Sequence, residues 1–212
     1  MNPTRLTTLL SGGMTLALLF APATAQAGQG LLDPNVATEQ ELRALPGLTE
    51  PIVLALLEAR PFADAPALDA FLAGRELGTT ARGELYARAF VHVDLNRADE
   101  QTFRLIPGVG ERMAHELVEY RPWKSWLQFD KEIGKYVDEA EVARLKQYLF
   151  IPLNLNTASE ADFLTLPGVG PRMAHEFEEY RPWKSKAHFE KEIGKYAKAP
   201  EVARLWRYMV IE

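Results

Sequence analysis

Apolar residues recur along this chain at helical spacing, in short runs punctuated by proline and glycine. Met113, Leu117 and Tyr120 share one helix face, and Met173, Phe177 and Tyr180 repeat that spacing. Each stripe follows a Pro-Gly-Val-Gly turn and ends at Arg-Pro-Trp. A short helix precedes each turn, with Phe103 or Phe163 facing inward. Its start is marked by an N-cap residue: Thr38, Asp99 and Ser159 occupy one aligned position. Thr38 with Glu41 is a capping-box pair. The proline ends the short helix, because it pushes the residue before it out of helical geometry. The turn glycines, Gly108 with Gly110 and Gly168 with Gly170, are expected to supply positive φ. A third helix is expected over Trp126 to Ile133 and over Ala187 to Ile193, stopped by Gly134 and Gly194. A fourth runs from Ala140 to Tyr148 and from Pro200 to Tyr208. The pattern predicts an all-α fold.

The stripes recur because the chain repeats itself. Asp94 to Ile151 aligns without a gap on Asn154 to Ile211, with about three-fifths of positions identical. A fainter copy comes first, where Leu45-Pro46-Gly47 and Ala59-Arg60-Pro61-Phe62 match the turn and the Arg-Pro-aromatic element. Three tandem units of about four short helices each follow, at 31–93, 94–153 and 154–212. The joints, Val91-His92-Val93 and Ile151-Pro152-Leu153, hold no flexible linker, so close packing is expected. A unit this small is marginal alone, which favours packing several together.

Residues 1–27 read as a signal peptide. Arg5 is followed by an apolar stretch from Leu6 to Ala21 and an Ala25-Gln26-Ala27 cleavage site. The expectation is a periplasmic or secreted protein with no membrane span after cleavage. The chain has no cysteine, which excludes disulfides, thiolate metal sites and cysteine nucleophiles. The net charge is -5, unlike the basic excess of a strong nucleic-acid binder. Counted by unit, the first holds 9 acidic and 5 basic residues, the second 11 and 9, the third 9 and 9.

Helix, Pro-Gly-Val-Gly and second helix together resemble the helix-hairpin-helix motif. The fuller pattern of L-N-x-A, L-P-G-V-G, x-R-M-A-H-E and R-P-W resembles the tandem helix-hairpin-helix domain of ComEA-type competence proteins. The likeness covers the later two units end to end and the first loosely. In that family such turns hold the backbone of double-stranded DNA without sequence preference, in DNA uptake. The residues make the chemistry legible. Gly108, Val109 and Gly110, and again Gly168, Val169 and Gly170, lie just before a helix N-terminus, where amide donors and the helix dipole favour an anion. Arg112 and Arg172 add charge beside each turn, and Lys195 adds it in the third unit. The resemblance also implies a monovalent cation, K+ or Na+, on the turn carbonyls. If any unit binds DNA the third is the best candidate, with Lys184, Lys186, Lys191, Lys195 and Lys198 beside its hairpin; the alternative for these lysines is an ordinary solvated face.

Several features point the other way. The first turn reads Pro46-Gly47-Leu48-Thr49, without the second glycine. Glu111 stands beside the second turn, where it repels phosphate. The second hairpin of each later unit keeps one glycine, Gly134 or Gly194, with an acid two places before it. These support the alternative of a periplasmic protein-protein scaffold that binds no DNA. His115-Glu116 and His175-Glu176 lack the second histidine of a zinc-protease helix, so no metal site is expected, and each histidine is expected to be packed or capping. Arg121 and Arg181 are expected near the last carbonyls of their own helices. There is no catalytic serine motif, phosphate-binding loop or dinucleotide fingerprint, so no enzymatic activity is expected.

Overall fold

The computed structural model describes residues 31–212, and the leader assigned to residues 1–27 lies outside them. The described residues are mostly helical. The first four helices are α1 (Glu39–Arg43), α2 (Glu50–Ala59), α3 (Ala65–Ala73) and α4 (Thr79–Tyr86). The next four are α5 (Glu100–Phe103), α6 (Glu111–Glu119), α7 (Trp126–Ile133) and α8 (Glu139–Lys146). The last four are α9 (Glu160–Phe163), α10 (Pro171–Glu179), α11 (Lys186–Ile193) and α12 (Ala199–Trp206).

The helix starts follow their caps. Thr38, Asp99 and Ser159 each accept a hydrogen bond from the third amide of the helix that follows. Thr38–Glu41 and Ser159–Asp162 form reciprocal capping boxes. Each such cap contributes about 1 kcal/mol. They matter most for α5 and α9, four residues each, which are too short to persist alone.

Four two-residue strands depart from the all-helix expectation: β1 (Val93–Asp94), β2 (Leu149–Phe150), β3 (Leu153–Asn154) and β4 (Met209–Val210). β1 pairs in parallel with β2, and β3 with β4. Leu32 and Ala89 make the equivalent parallel bridge in the first unit. In the second unit Val93 N donates to Tyr148 O at 2.8 Å and Leu95 N to Phe150 O at 3.0 Å. Each unit is therefore closed by hydrogen bonds between its first and last residues.

A second closure is made by side chains. Asn96 exchanges two hydrogen bonds with the Trp123 backbone, at 2.9 and 2.7 Å. Asn156 does so with Trp183, and Asn35 with Phe62. The arginine of Arg-Pro completes this clamp. Arg121 donates to the carbonyls of Leu95 and Ala98, and Arg181 to those of Leu155 and Ala158. This corrects the expectation that they cap their own helices: the guanidinium fork reaches two carbonyls of the unit's opening turn instead.

Trp123 and Trp183 are buried at the heart of their units, and each indole donates to a carbonyl of the helix before it, Leu117 O at 2.8 Å and Phe177 O at 2.7 Å. Phe103, Phe129, Phe163, Phe177 and Phe189 are fully buried around them. The cores of the first two units are continuous, whereas the third has its own, joined by Phe150. Phe150 packs against Tyr208 with ring centroids 4.4 Å apart and the ring planes tilted by 50°.

Candidate nucleic-acid interface

The two glycines of each turn do different jobs, which corrects the expectation of positive φ at both. Gly108 and Gly168 hold φ of 82° and 74°, the left-handed region that costs other residues strain. Gly110 and Gly170 are extended, with φ of -87° and -97°, and serve as N-caps of α6 and α10. A Cβ on either would meet nothing within 4 Å. Neither backbone geometry nor internal packing requires glycine there, and Thr49 holds the same place in the first unit. The absent side chain leaves room over a helix start that no side chain caps.

The valines are corrected as well. Val109 and Val169 are buried, and their amides donate to Ile106 O and Leu166 O. They anchor the turn and have no N–H left for a ligand. Gly108, Gly110, Gly168, Gly170, Arg112 and Arg172 are exposed.

Arg112 and Arg172 lie over the rings of Tyr136 and Tyr196, each 5.4 Å from the centroid. This contact holds each guanidinium beside the helix start. Lys195 pairs with Glu192 and lies over Tyr180. The Glu192 carboxylate holds the Lys195 ammonium above its ordinary pKa, with help from Tyr180. Gly170, Arg172 and Lys195 line one pocket of about 440 Å³ with Met173, Glu176 and Tyr196. Of the other lysines named from the sequence, Lys186 pairs with Glu190 and Lys191 with Glu192, while Lys184 and Lys198 are exposed. None of these four lines that pocket.

The second turn faces a different groove. Pro107 to Gly110 line a depression of about 490 Å³ with Thr79, Arg82 and Gly83 of α4 and with Arg104. Arg82 is committed to Asp69 at 2.8 Å, whereas Arg104 is exposed. Arg104 has no counterpart in the third unit, where Leu164 stands. A position that differs between the two repeats carries no signal of a shared role.

Gly108 and Gly168 are each overlain by an arginine from the last helix of their unit, whereas the positive-φ Gly47 of the first unit faces Leu77 and Ala81. A Cβ on Gly108 would stand 3.2 Å from Arg144 Nη2, and one on Gly168 3.1 Å from Arg204 Nη2. Arg204 is buried and donates to Pro167 O at 2.8 Å. A monovalent cation on that carbonyl would meet the guanidinium at close range, so the third turn does not fit one. Gly168 is also approached from the first unit, since its Cβ would lie 2.7 Å from Val36 Cγ1.

His115 and His175 are exposed rather than packed or capping. His115 pairs with Glu100 at 3.0 Å and Glu119 at 3.5 Å, and the Glu100 carboxylate raises its pKa. Among the described residues no cluster of three His, Asp or Glu side chains has metal-ligating geometry. Nor is any helix there long and apolar enough to cross a membrane. No protein family, curated protein or solved structure matches the chain.

Proposed function

We propose that this chain is an exported, non-enzymatic protein of the ComEA-like helix-hairpin-helix type. Its second and third units grip double-stranded DNA by the phosphate backbone, without sequence preference, in DNA uptake. One observation carries the reading: Gly110 and Gly170 leave open space over uncapped helix starts, where nothing inside the protein calls for glycine. Phosphate is the anion such a site suits, because amide donors and the helix dipole point at it. Arg112 and Arg172 supply charge, with Arg104 beside the second turn and Lys195 beside the third. Such contacts position a protein on a duplex and read no bases. Two grips on one chain gain through effective concentration where both reach the same duplex.

Fluorescence anisotropy with a labelled random-sequence duplex across a salt series tests this. Binding that weakens as salt rises, and that falls about tenfold or more in Gly110→Glu plus Gly170→Glu, supports it. Both sites are open, so the variant keeps its fold. Absence of binding at low salt would sink it.

A scaffold that binds a periplasmic protein and no DNA is the second reading. It is favoured by the net charge of -5, by exposed Glu111 at the second turn and by Val36 against the third. In that reading the turns serve contacts between units.

A further inference from the structure

The pocket of the third turn contains a group that duplex binding does not use. Glu176 lines it beside Gly170, Arg172 and Lys195, and only 8% of its surface is exposed. Its Oε2 is buried with no hydrogen-bond partner. The nearby Tyr196 hydroxyl is shared with Tyr180 at 2.9 Å. Tyr180 and the Glu176 carboxylate compete for its single proton. A buried acceptor left unmatched is costly. The pocket is thus lined by two cations, by the start of α10, where Pro171 has no N–H and Arg172 and Met173 carry the free amides, and by a carboxylate with one unmatched oxygen.

A phosphodiester in the body of a duplex has no proton to give, and neither does sulfate near neutral pH. A phosphoryl group with a remaining P–OH has both halves of the match: anionic oxygens for the helix start, Arg172 and Lys195, and a hydroxyl for Glu176. We propose that this pocket selects a protonated phosphoryl group, with Glu176 accepting its P–OH. The source is either free inorganic phosphate, which keeps a P–OH at neutral pH, or the monoanionic terminal phosphomonoester of a nucleic-acid strand, which keeps one below its second pKa of about 6. The inference rests on the third turn being a phosphate grip, but it does not require the duplex to be held by its diesters.

The pocket residues support a dedicated role. Gly110, Arg112, Met113, Glu116, Lys135 and Tyr136 of the second unit are the same six residue types as Gly170, Arg172, Met173, Glu176, Lys195 and Tyr196. About two-fifths of aligned positions differ between the two units. Even so, Glu116 is only half-buried, and exposed Glu111 replaces Pro171 at the helix start. The selective pocket belongs to the third unit.

Calorimetric titration of the protein with sodium phosphate and with sodium sulfate at neutral pH and equal ionic strength tests this. Phosphate is expected to bind about tenfold or more tightly than sulfate, the discrimination that one hydrogen bond to a buried charge supplies. Glu176→Gln keeps the shape but offers a donor, so it is expected to narrow the preference to about threefold or less. Arg172→Gln weakens both anions while keeping their ratio. Equal binding of phosphate and sulfate by the unaltered protein would overturn the proposal, and so would an undiminished preference in a folded Glu176→Gln. Duplex binding without any phosphate binding would overturn it and leave the duplex reading standing. Phosphate selection without duplex binding would do the reverse. A short strand with a 5′-phosphate, compared with its 5′-hydroxyl twin at about pH 5.5, where the phosphomonoester keeps its P–OH, separates the sources. Preference for the phosphorylated strand assigns the pocket to strand ends, and indifference with retained phosphate selection assigns it to free phosphate.

Discussion

The second and third turns are written in almost the same residues and sit in different surroundings. Pro-Gly-Val-Gly, the arginine two places on and the buried valine are common to both. The second turn opens on a groove against α4, with Arg104 at its edge and Glu111 at its helix start. The third is approached by Val36 of the first unit, has Pro171 at its helix start and holds a buried Glu176 beneath it. Arg144 is partly exposed, while its equivalent Arg204 is buried, with one guanidinium nitrogen left unpartnered. Local sequence builds the turn. What a ligand would meet there is decided by neighbours far away in the chain.

Replacing the two overlying arginines should separate the turns most. Arg204→Met removes the donor to Pro167 O from a buried site and is expected to cost about 2–3 kcal/mol. Arg144→Met, whose side chain pairs with Glu141 at the surface, should cost under about 1 kcal/mol. Urea unfolding of both variants makes the comparison. Equal losses would mean that burial of Arg204 contributes nothing.

A smaller gap is expected at the positive-φ glycines. Alanine at either position meets left-handed strain of about 1–2 kcal/mol. At Gly168 it also crowds Val36, so Gly168→Ala should exceed Gly108→Ala by about 1 kcal/mol. The double variant Gly168→Ala with Val36→Ala should close that gap, as thermal or denaturant unfolding would reveal.

Asp33 and Asp94 hold one aligned position and shift in opposite directions. Burial raises the pKa of Asp33, but the His92 imidazole 3.6 Å away, the Asn35 amide and Arg204 outweigh it, and the net shift is downward. Asp33 therefore adds stability that is present above its unfolded pKa, about 3.9. That stability is lost as pH falls through its lower folded value. At Asp94 burial prevails and the pKa rises. Its contribution is most favourable below the unfolded value and is lost as pH climbs through the folded one. Asp33→Asn should destabilise at pH 7, and Asp94→Asn should stabilise by under about 1 kcal/mol. The latter copies Asn154 of the third unit. Unfolding curves at pH 7 and pH 3 check both signs.

The smallest effects belong to the second glycines. Gly110→Ala and Gly170→Ala should each change stability by less than about 0.5 kcal/mol, because both positions are extended and open. A larger loss in unfolding experiments would mean that these glycines serve the fold after all.

The features that sequence disclosed are those set within a few residues. The caps at Thr38, Asp99 and Ser159 show because a capping side chain reaches only three residues on. Phe103 and Phe163 face inward as their spacing requires. The strands escaped notice because Val93 pairs with Leu149, so that two residues alone carry no alternating pattern. Sequence places Arg121 nearest the carbonyls of its own helix, whereas its partners Leu95 and Ala98 lie more than twenty residues back. Glu116 and Glu176 are the same letter in the same motif, and only packing distinguishes half-buried from buried. Val109 and Val169 fell inside the glycine motif, which concealed that they are core residues.

The strand pairs that close each unit bring the place where the chain enters next to the place where it leaves. A segment built this way can be copied or removed in the gene without stretching what flanks it, since the new ends fall where the old ones were. Growth by steps of about 60 residues is then geometrically cheap. The three-fifths identity of the last two units is what one such step leaves behind.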